Sequence, residues 1–209
     1  MQLKLMSDFV DYYDIWLDAK GYNFHRYVHS GMSRGPMFRY LESIGIQTVK
    51  YGQVSEVCEM YNGKVVIYTD SNKHAGEGKI LMDSKRALVD YPNYLCSVYE
   101  NEKEGESVKY VQLGLYYFKV DCKSYSDWRS NIGKIKNNLL EVDCGYHKDI
   151  KMPLFSIDYV HTKNGLKAID FNYSEMIKNT EIETILTPRE AAYSIKRAYA
   201  LFNNIDYKE

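Results

Sequence analysis

Asp158, Asp170 and Asn172 are the residues whose types and spacing point most directly to chemistry. They sit on two alternating stretches, Leu154–Val160 and Leu166–Asn172, which flank His161-Thr162-Lys163-Asn164-Gly165 and read together as a β-hairpin. Two turns compete. A two-residue Asn164-Gly165 turn sets Asp158 opposite Phe171, whereas a three-residue Lys163-Asn164-Gly165 loop with Gly165 left-handed sets Asp158 opposite Asp170. The second gathers Ile157, Tyr159, Ile169 and Phe171 on one face and Asp158, Asp170 and Asn172 on the other, since a slip of one residue exchanges the faces. Opposed carboxylates repel unless a positive group lies between them. A hard cation with oxygen ligands meets that need, and Mg²⁺ shared between one or two carboxylates and substrate phosphates is its usual form. The competing reading makes both aspartates solvated residues on the wet face of an antiparallel sheet.

Order along the chain favours the metal-binding reading. Upstream of the hairpin lies Arg129-Ser130-Asn131, and upstream of that a strand ending Ser97-Val98-Tyr99-Glu100. This succession resembles the ATP-grasp superfamily, roughly from Lys64 to Ala200. The resemblance implies an adenine pocket beside Tyr99 and Glu100, nucleotide contacts from Asn131, and Arg129 as the catalytic group stabilising charge on a transferring phosphoryl or acyl phosphate. It also implies Mg²⁺ held by Asp158, Asp170 and Asn172. The loop His74-Ala75-Gly76-Glu77-Gly78-Lys79 resembles the flap that covers phosphates in this superfamily, with Gly76 and Gly78 allowing close backbone approach and Lys79 pairing with the phosphates. Three departures stand out: Asp170 replaces the usual glutamate, the Gly-Gly pair that often trails Arg-x-Asn is reduced to Gly133, and the chain is short.

The elements that must carry these residues define an α+β fold. The architecture that the resemblance implies is two small α+β lobes whose antiparallel sheets enclose a nucleotide cleft, preceded by a short N-terminal α/β unit. That unit covers residues 1–60, with a strand at Gln2–Met6 and a helix from Pro36 that Gly45 stops. A first lobe, 61–105, contains a strand at Lys64–Thr69, the flap, a short helix from Asp83 or Ser84 and a strand at Tyr94–Tyr99. The charged run Asn101-Glu102-Lys103-Glu104-Gly105-Glu106 marks the lobe boundary. The second lobe, 106–209, holds strands at Val108–Leu113 and Leu115–Val120 joined at Gly114, then the hairpin, then a helix. Thr187, Pro188 and Glu190 give that helix a capping box, and Ala191, Ile195, Ala198, Tyr199 and Phe202 give it one apolar face.

Composition narrows the partners. In 209 residues, 27 basic and 28 acidic side chains leave a formal charge of −1, which argues against a dedicated nucleic-acid or anionic-membrane binder. Cys58, Cys96, Cys122 and Cys144 lack metal-ligand spacing, and no apolar run approaches membrane-spanning length, so the sequence reads as cytoplasmic with reduced thiols. His25, His29, His147 and His161 have no partners at useful sequence spacing. Asp8, Asp11, Tyr12, Tyr13 and Asp14 follow the first strand, where substrate contacts often gather.

The function implied by the resemblance is an ATP- and Mg²⁺-dependent ligase that activates a carboxylate as an acyl phosphate for attack by an amine on a small-molecule or peptide-like acceptor. Its rivals are a small-molecule kinase of the same fold and a non-catalytic nucleotide-binding accessory protein of viral or mobile-element type.

Overall fold

A computed structural model describes residues 33–70, 73, 76–172, 181–202 and 204. The expected strand at Gln2–Met6 and the acidic and tyrosine cluster from Asp8 to Asp14 lie outside them. The chain enters through α1 (Arg34–Ser43), which begins two residues ahead of Pro36 and ends where Gly45 takes φ +79°, a conformation that suits glycine. Met37, Phe38 and Leu41 are fully buried beneath this helix.

Residues 47–53 connect two sheets. The Ala168 amide donates to the Gln47 carbonyl and the Val49 amide to the Ala168 carbonyl, while β1 (Tyr51–Gln53) pairs antiparallel with β4 (Leu95–Val98). The first sheet is completed by β2 (Lys64–Tyr68) and β3 (Lys79–Asp83), in the order β1-β4-β2-β3. Short helices α2 (Val54–Val57) and α3 (Ser84–Asp90) cover it, and Asp83 caps α3 by accepting the Lys85 amide at 2.9 Å. Val65, Ile67, Cys96 and Val98 pack against Val54, Val57 and Ala87 as its core. Because β1 and α2 belong to this sheet, a boundary at residue 60 falls between elements that pack together.

The second sheet has the order β7-β6-β5-β8-β9 and is antiparallel throughout. Its strands are β5 (Glu106–Leu113), β6 (Tyr116–Ser124), β7 (Ile135–Cys144), β8 (Leu154–Thr162) and β9 (Gly165–Asn172). Half of one face is closed by α4 (Pro188–Phe202), whose Ala191, Ile195 and Ala198 are buried as the apolar spacing requires. The capping box forms: Glu190 accepts the Thr187 amide at 2.8 Å, and the Glu190 amide donates to Thr187 Oγ1 at 3.3 Å. Gly114, at φ +65°, lies so close to α4 that an added Cβ would meet the Ser194 carbonyl carbon at 2.1 Å.

The hairpin reaches the expected pairing by a different route. Thr162 pairs with Gly165 across a two-residue Lys163-Asn164 turn, a register that by itself would set Asp158 opposite Ile169. The register then shifts between Asp158 and Tyr159, and this bulge brings Asp170 opposite Asp158. The turn alone therefore does not set the acidic pair. Ile169, at the bulge, is partly buried: it packs against the cluster that contains Ile157 and Phe171 and also lines the cleft with Asp158 and Asp170. Among the described residues no helix is long and apolar enough to cross a membrane.

Candidate active site

A cleft opens between the two sheets. Tyr68, Lys79, Ser97 and Tyr99 line it from the first sheet, Ser107, Asp158, Val160 and Asp170 from the second, and Arg129, Ser130 and Asn131 from the segment after β6. Glu100 sits at the crossing between the lobes and also lines it. Residues from Tyr68 to Asp170, 102 positions apart in sequence, thus meet in one place, because the linker after β4 lets one sheet fold over the other.

The acidic pair is the electrostatic centre. Across adjacent strands Lys109 of β5 opposes Asp158 of β8, which opposes Asp170 of β9. Lys109 Nζ lies 3.4 Å from Asp158 Oδ1. Asp170 Oδ1 accepts the Phe171 amide at 2.9 Å and forms a salt bridge with Arg34 of α1. Arg34 is only 1% exposed. Its guanidinium lies over the Tyr68 ring, 5.7 Å from the centroid, and Nη2 donates to the Lys73 carbonyl at 3.5 Å. Burial alone would lift the Asp170 carboxyl toward neutrality, but the charges of Arg34, Lys79 and Lys109 outweigh it and hold its pKa below the ordinary aspartate value. For Lys79 burial dominates and pushes the ammonium pKa down, against the opposing pull of Asp170.

The residues after β6 hold the flap. Arg129 donates from Nε and Nη2 to the two Asp127 carboxylate oxygens at 2.8 Å each, and from Nη1 to the Gly76 carbonyl at 2.9 Å. Gly76 takes φ +85°, and an added Cβ there would press on Ile132 at 3.0 Å and Asn131 Oδ1 at 3.3 Å. Gly78, at φ +65°, would meet the Asp70 carbonyl at 2.9 Å. Both glycines are therefore required by close packing of the flap. In this conformation Arg129 fastens the flap, and all three of its guanidinium nitrogens are engaged.

At the other end Glu100 accepts from Lys167 Nζ at 2.7 Å. The Tyr99 ring meets Trp128 edge-on at 5.9 Å, and the Tyr99 hydroxyl is buried without a hydrogen-bond partner among the described residues. Burial pushes its pKa up to about 12, so it stays protonated and can donate.

Of the expected site residues, Lys79, Tyr99, Glu100, Arg129, Asn131, Asp158 and Asp170 come together in the cleft wall. Gly76 and Gly78 lie in the flap, held to the wall through Arg129. Asn172 pairs with Ser156, two pairings beyond the acidic pair, and is not part of the wall. Arg34, Tyr68 and Lys109 carried no signal in the sequence, because neither their neighbours nor their spacing distinguishes them from ordinary surface or core residues. His161 meets Glu106 and Asp121 from neighbouring strands, with ligand atoms within 4.8 Å of one another, but Glu106 is already bound by Lys123 at 2.5 Å.

The oxygen chemistry of Asp158 and Asp170 suits magnesium, but their surroundings do not. Arg34 is bonded to one carboxylate, Lys109 faces the other, Lys79 stands beside both, and the third expected donor is outside the wall. As arranged, these residues do not fit a resident divalent ion.

Two antiparallel sheets clasping a cleft, with a glycine-bearing flap on one and an acidic hairpin on the other, constitute the ATP-grasp fold. No protein-family model matches the chain, and no curated protein matches it in sequence. Solved structures do match. A D-alanine–D-alanine ligase from Bacillus anthracis complexed with ATP superposes with a TM-score of 0.52 at 9% identity, over 82% of this chain and 67% of that one. A second structure of the B. anthracis enzyme gives 0.53 at 8% identity, covering 82% and 68%. The D-alanine–D-alanine ligase from Coxiella burnetii gives 0.52 at 10% identity, covering 83% and 58%. At such identities the likeness is one of fold, and this chain spans well under three quarters of each of these proteins.

Proposed function

We propose that the protein binds ATP in the cleft between its sheets and spends it as an ATP-dependent ligase, activating a carboxylate as an acyl phosphate for attack by an amine. What carries the reading is the convergence in one cleft of Lys79, Tyr99, Glu100 and Asn131, the residues expected to contact a nucleotide, with Asp158 and Asp170, the residues expected to hold Mg²⁺. Support comes from the ATP-bound D-alanine–D-alanine ligase of the same fold. In this reading the adenine lies against Tyr99 and Glu100, and the phosphates lie toward Lys79 beneath the flap. An acyl phosphate needs its developing charge neutralised, and Arg129 supplies this once the flap lifts and releases the Gly76 carbonyl.

The test is calorimetric titration of ATP into purified protein and its Lys79→Ala variant, followed by product analysis with mixed carboxylate and amine acceptors. Binding weakened roughly tenfold by the substitution, with ADP, free phosphate and a new amide formed, is the expected result. Absence of ATP binding removes the proposal. A second reading, nucleotide binding without turnover, is favoured by the engagement of every Arg129 nitrogen. Tight binding with no product over a broad acceptor panel would select it, and ADP with a phosphorylated acceptor would select a kinase.

A further inference from the structure

Among the described residues, the longest strand at the end of a sheet is β7. It closes the order β7-β6-β5-β8-β9 and pairs only with β6. It runs for ten residues without a proline. An exposed edge of that kind is a template for further strand pairing, and proteins commonly blunt such edges by shortness, proline or charge. Here Ile135, Leu140 and Val142 stand open to solvent at 43%, 59% and 42% of their surface.

A bulge sorts the side chains of β7. Lys119 pairs with Glu141 and Val120 with Leu139, so Leu140 is the extra residue. Without it, Lys136 and Glu141 would project to opposite faces. With it, Lys136, Glu141 and Asp143 share the face of their partners Lys123, Lys119 and Tyr117, while Lys134 stands just before the strand at the basic end. One end of the edge is thus basic and the other acidic.

The outward backbone groups follow from the ladder, because hydrogen-bonded and non-bonded pairs alternate along antiparallel strands. The Tyr125 amide donates to the Lys134 carbonyl and the Gly145 amide to the Leu115 carbonyl, both between β6 and β7 or just beyond their ends. Alternation from these two bonds directs the N–H and C=O of Ile135 and Val142 away from β6. The Leu139 amide also points outward, where it donates to a Glu181 carboxylate oxygen at 2.7 Å.

We propose that β7 pairs antiparallel with β7 of a second copy of this chain, about a two-fold axis between Asn138 and Leu139, joining the two sheets edge to edge. That register sets Ile135 opposite Val142 on both sides of the axis, Lys136 opposite Glu141 and Lys134 opposite Asp143. Ile135 and Val142 then meet through their outward backbone groups, and the basic end of each strand faces the acidic end of the other. A parallel copy would set like charges against like. Glu141, which accepts from Tyr117 and Lys119 in its own sheet, gains a third donor in Lys136 of the other copy, within the capacity of a carboxylate. Glu181 keeps the Leu139 amide near the axis, so the strand-to-strand bonds fall on the flanks. The pairing is independent of nucleotide binding.

The experiment is sedimentation velocity on the full chain. An edge contact of this length falls below the roughly 1,200 Å² of a stable interface, so wild type should pass from monomer to dimer between about 1 and 200 μM. Lys134→Glu with Lys136→Glu makes the edge acidic throughout, and Glu141→Lys with Asp143→Lys makes it basic throughout. Each double variant alone should stay monomeric, and their equimolar mixture should dimerise. Wild type that is monomeric at every concentration overturns the proposal and leaves the edge to a strand of another protein. A dimer that either charge reversal leaves intact also overturns it, as does a mixture of folded variants that fails to associate. Should the basic variant fail to fold by circular dichroism, Val142→Pro removes an outward donor and leaves the charges in place. It should abolish the dimer, and a dimer that survives in folded Val142→Pro counts against the proposal.

Discussion

Arg34 and Asp170 illustrate how strongly two buried side chains depend on each other. Removing one partner of a buried ion pair strands the other charge in a poorly solvated place, at about 3–5 kcal/mol. Asp170→Asn should therefore destabilise the protein by about that much in urea unfolding, and adding Arg34→Met should recover most of it, because contacting residues couple. Two additive losses would mean that the residues do not interact. The pair formed by Asp127 and Arg129 makes a pH prediction. Its bidentate hydrogen bonds hold the Asp127 pKa below the ordinary value. A depressed folded-state pKa adds stability above the unfolded value near 3.9, and that stability is lost as pH falls through the folded value. Wild type should accordingly lose stability across that acid window, and Asp127→Asn should show a flatter acid limb in denaturant titrations.

Elements place these residues through a few contacts that tolerate no side chain. The β5–β6 turn at Gly114 docks on α4, with the Leu115 amide donating to Ser194 Oγ at 2.8 Å. Gly114→Ala combines a left-handed backbone with a clash against helix backbone. It should lower stability by more than the roughly 1 kcal/mol expected from φ alone, as read from the thermal midpoint. At the N-terminus of the same helix Thr187→Ala removes half the capping box and should cost about 1 kcal/mol. A cost no greater than at an exposed mid-helix position would show that the cap contributes nothing. Arg129→Ala frees the flap, and limited proteolysis around residues 73–79 should quicken relative to wild type, with ATP slowing it again.

For the molecule as a whole, the cleft encloses about 70 Å³, room for a handful of waters and far less than ligand pockets of about 300–1,000 Å³. A nucleotide can enter only if the sheets separate or the flap lifts. ATP at a hundredfold excess over its dissociation constant should add about 2.7 kcal/mol of stability, seen as a raised melting temperature. Hydrogen exchange should then slow in the flap and in β9 together. Slowing confined to one lobe would argue against closure across the cleft.

The sequence by itself determined the α+β class, the order of the strands it recognised, the capped last helix and seven of the residues that meet in the cleft wall, because these rest on local periodicity, turn chemistry and motif order. It was silent on β7, whose run Ile135-Lys136-Asn137-Asn138-Leu139-Leu140 is mostly exposed and lacks clean alternation. It also misjudged how the acidic pair forms, since a bulge at Ile169 shifts the register by one residue after the turn has set it. Tertiary structure alone decided the charge of the site. Arg34 is 136 positions from Asp170, and no local rule connects an arginine at a helix start to an aspartate on a distant strand. Charge balance depends on distance in space, and only packing α1 against β9 brings those two charges together.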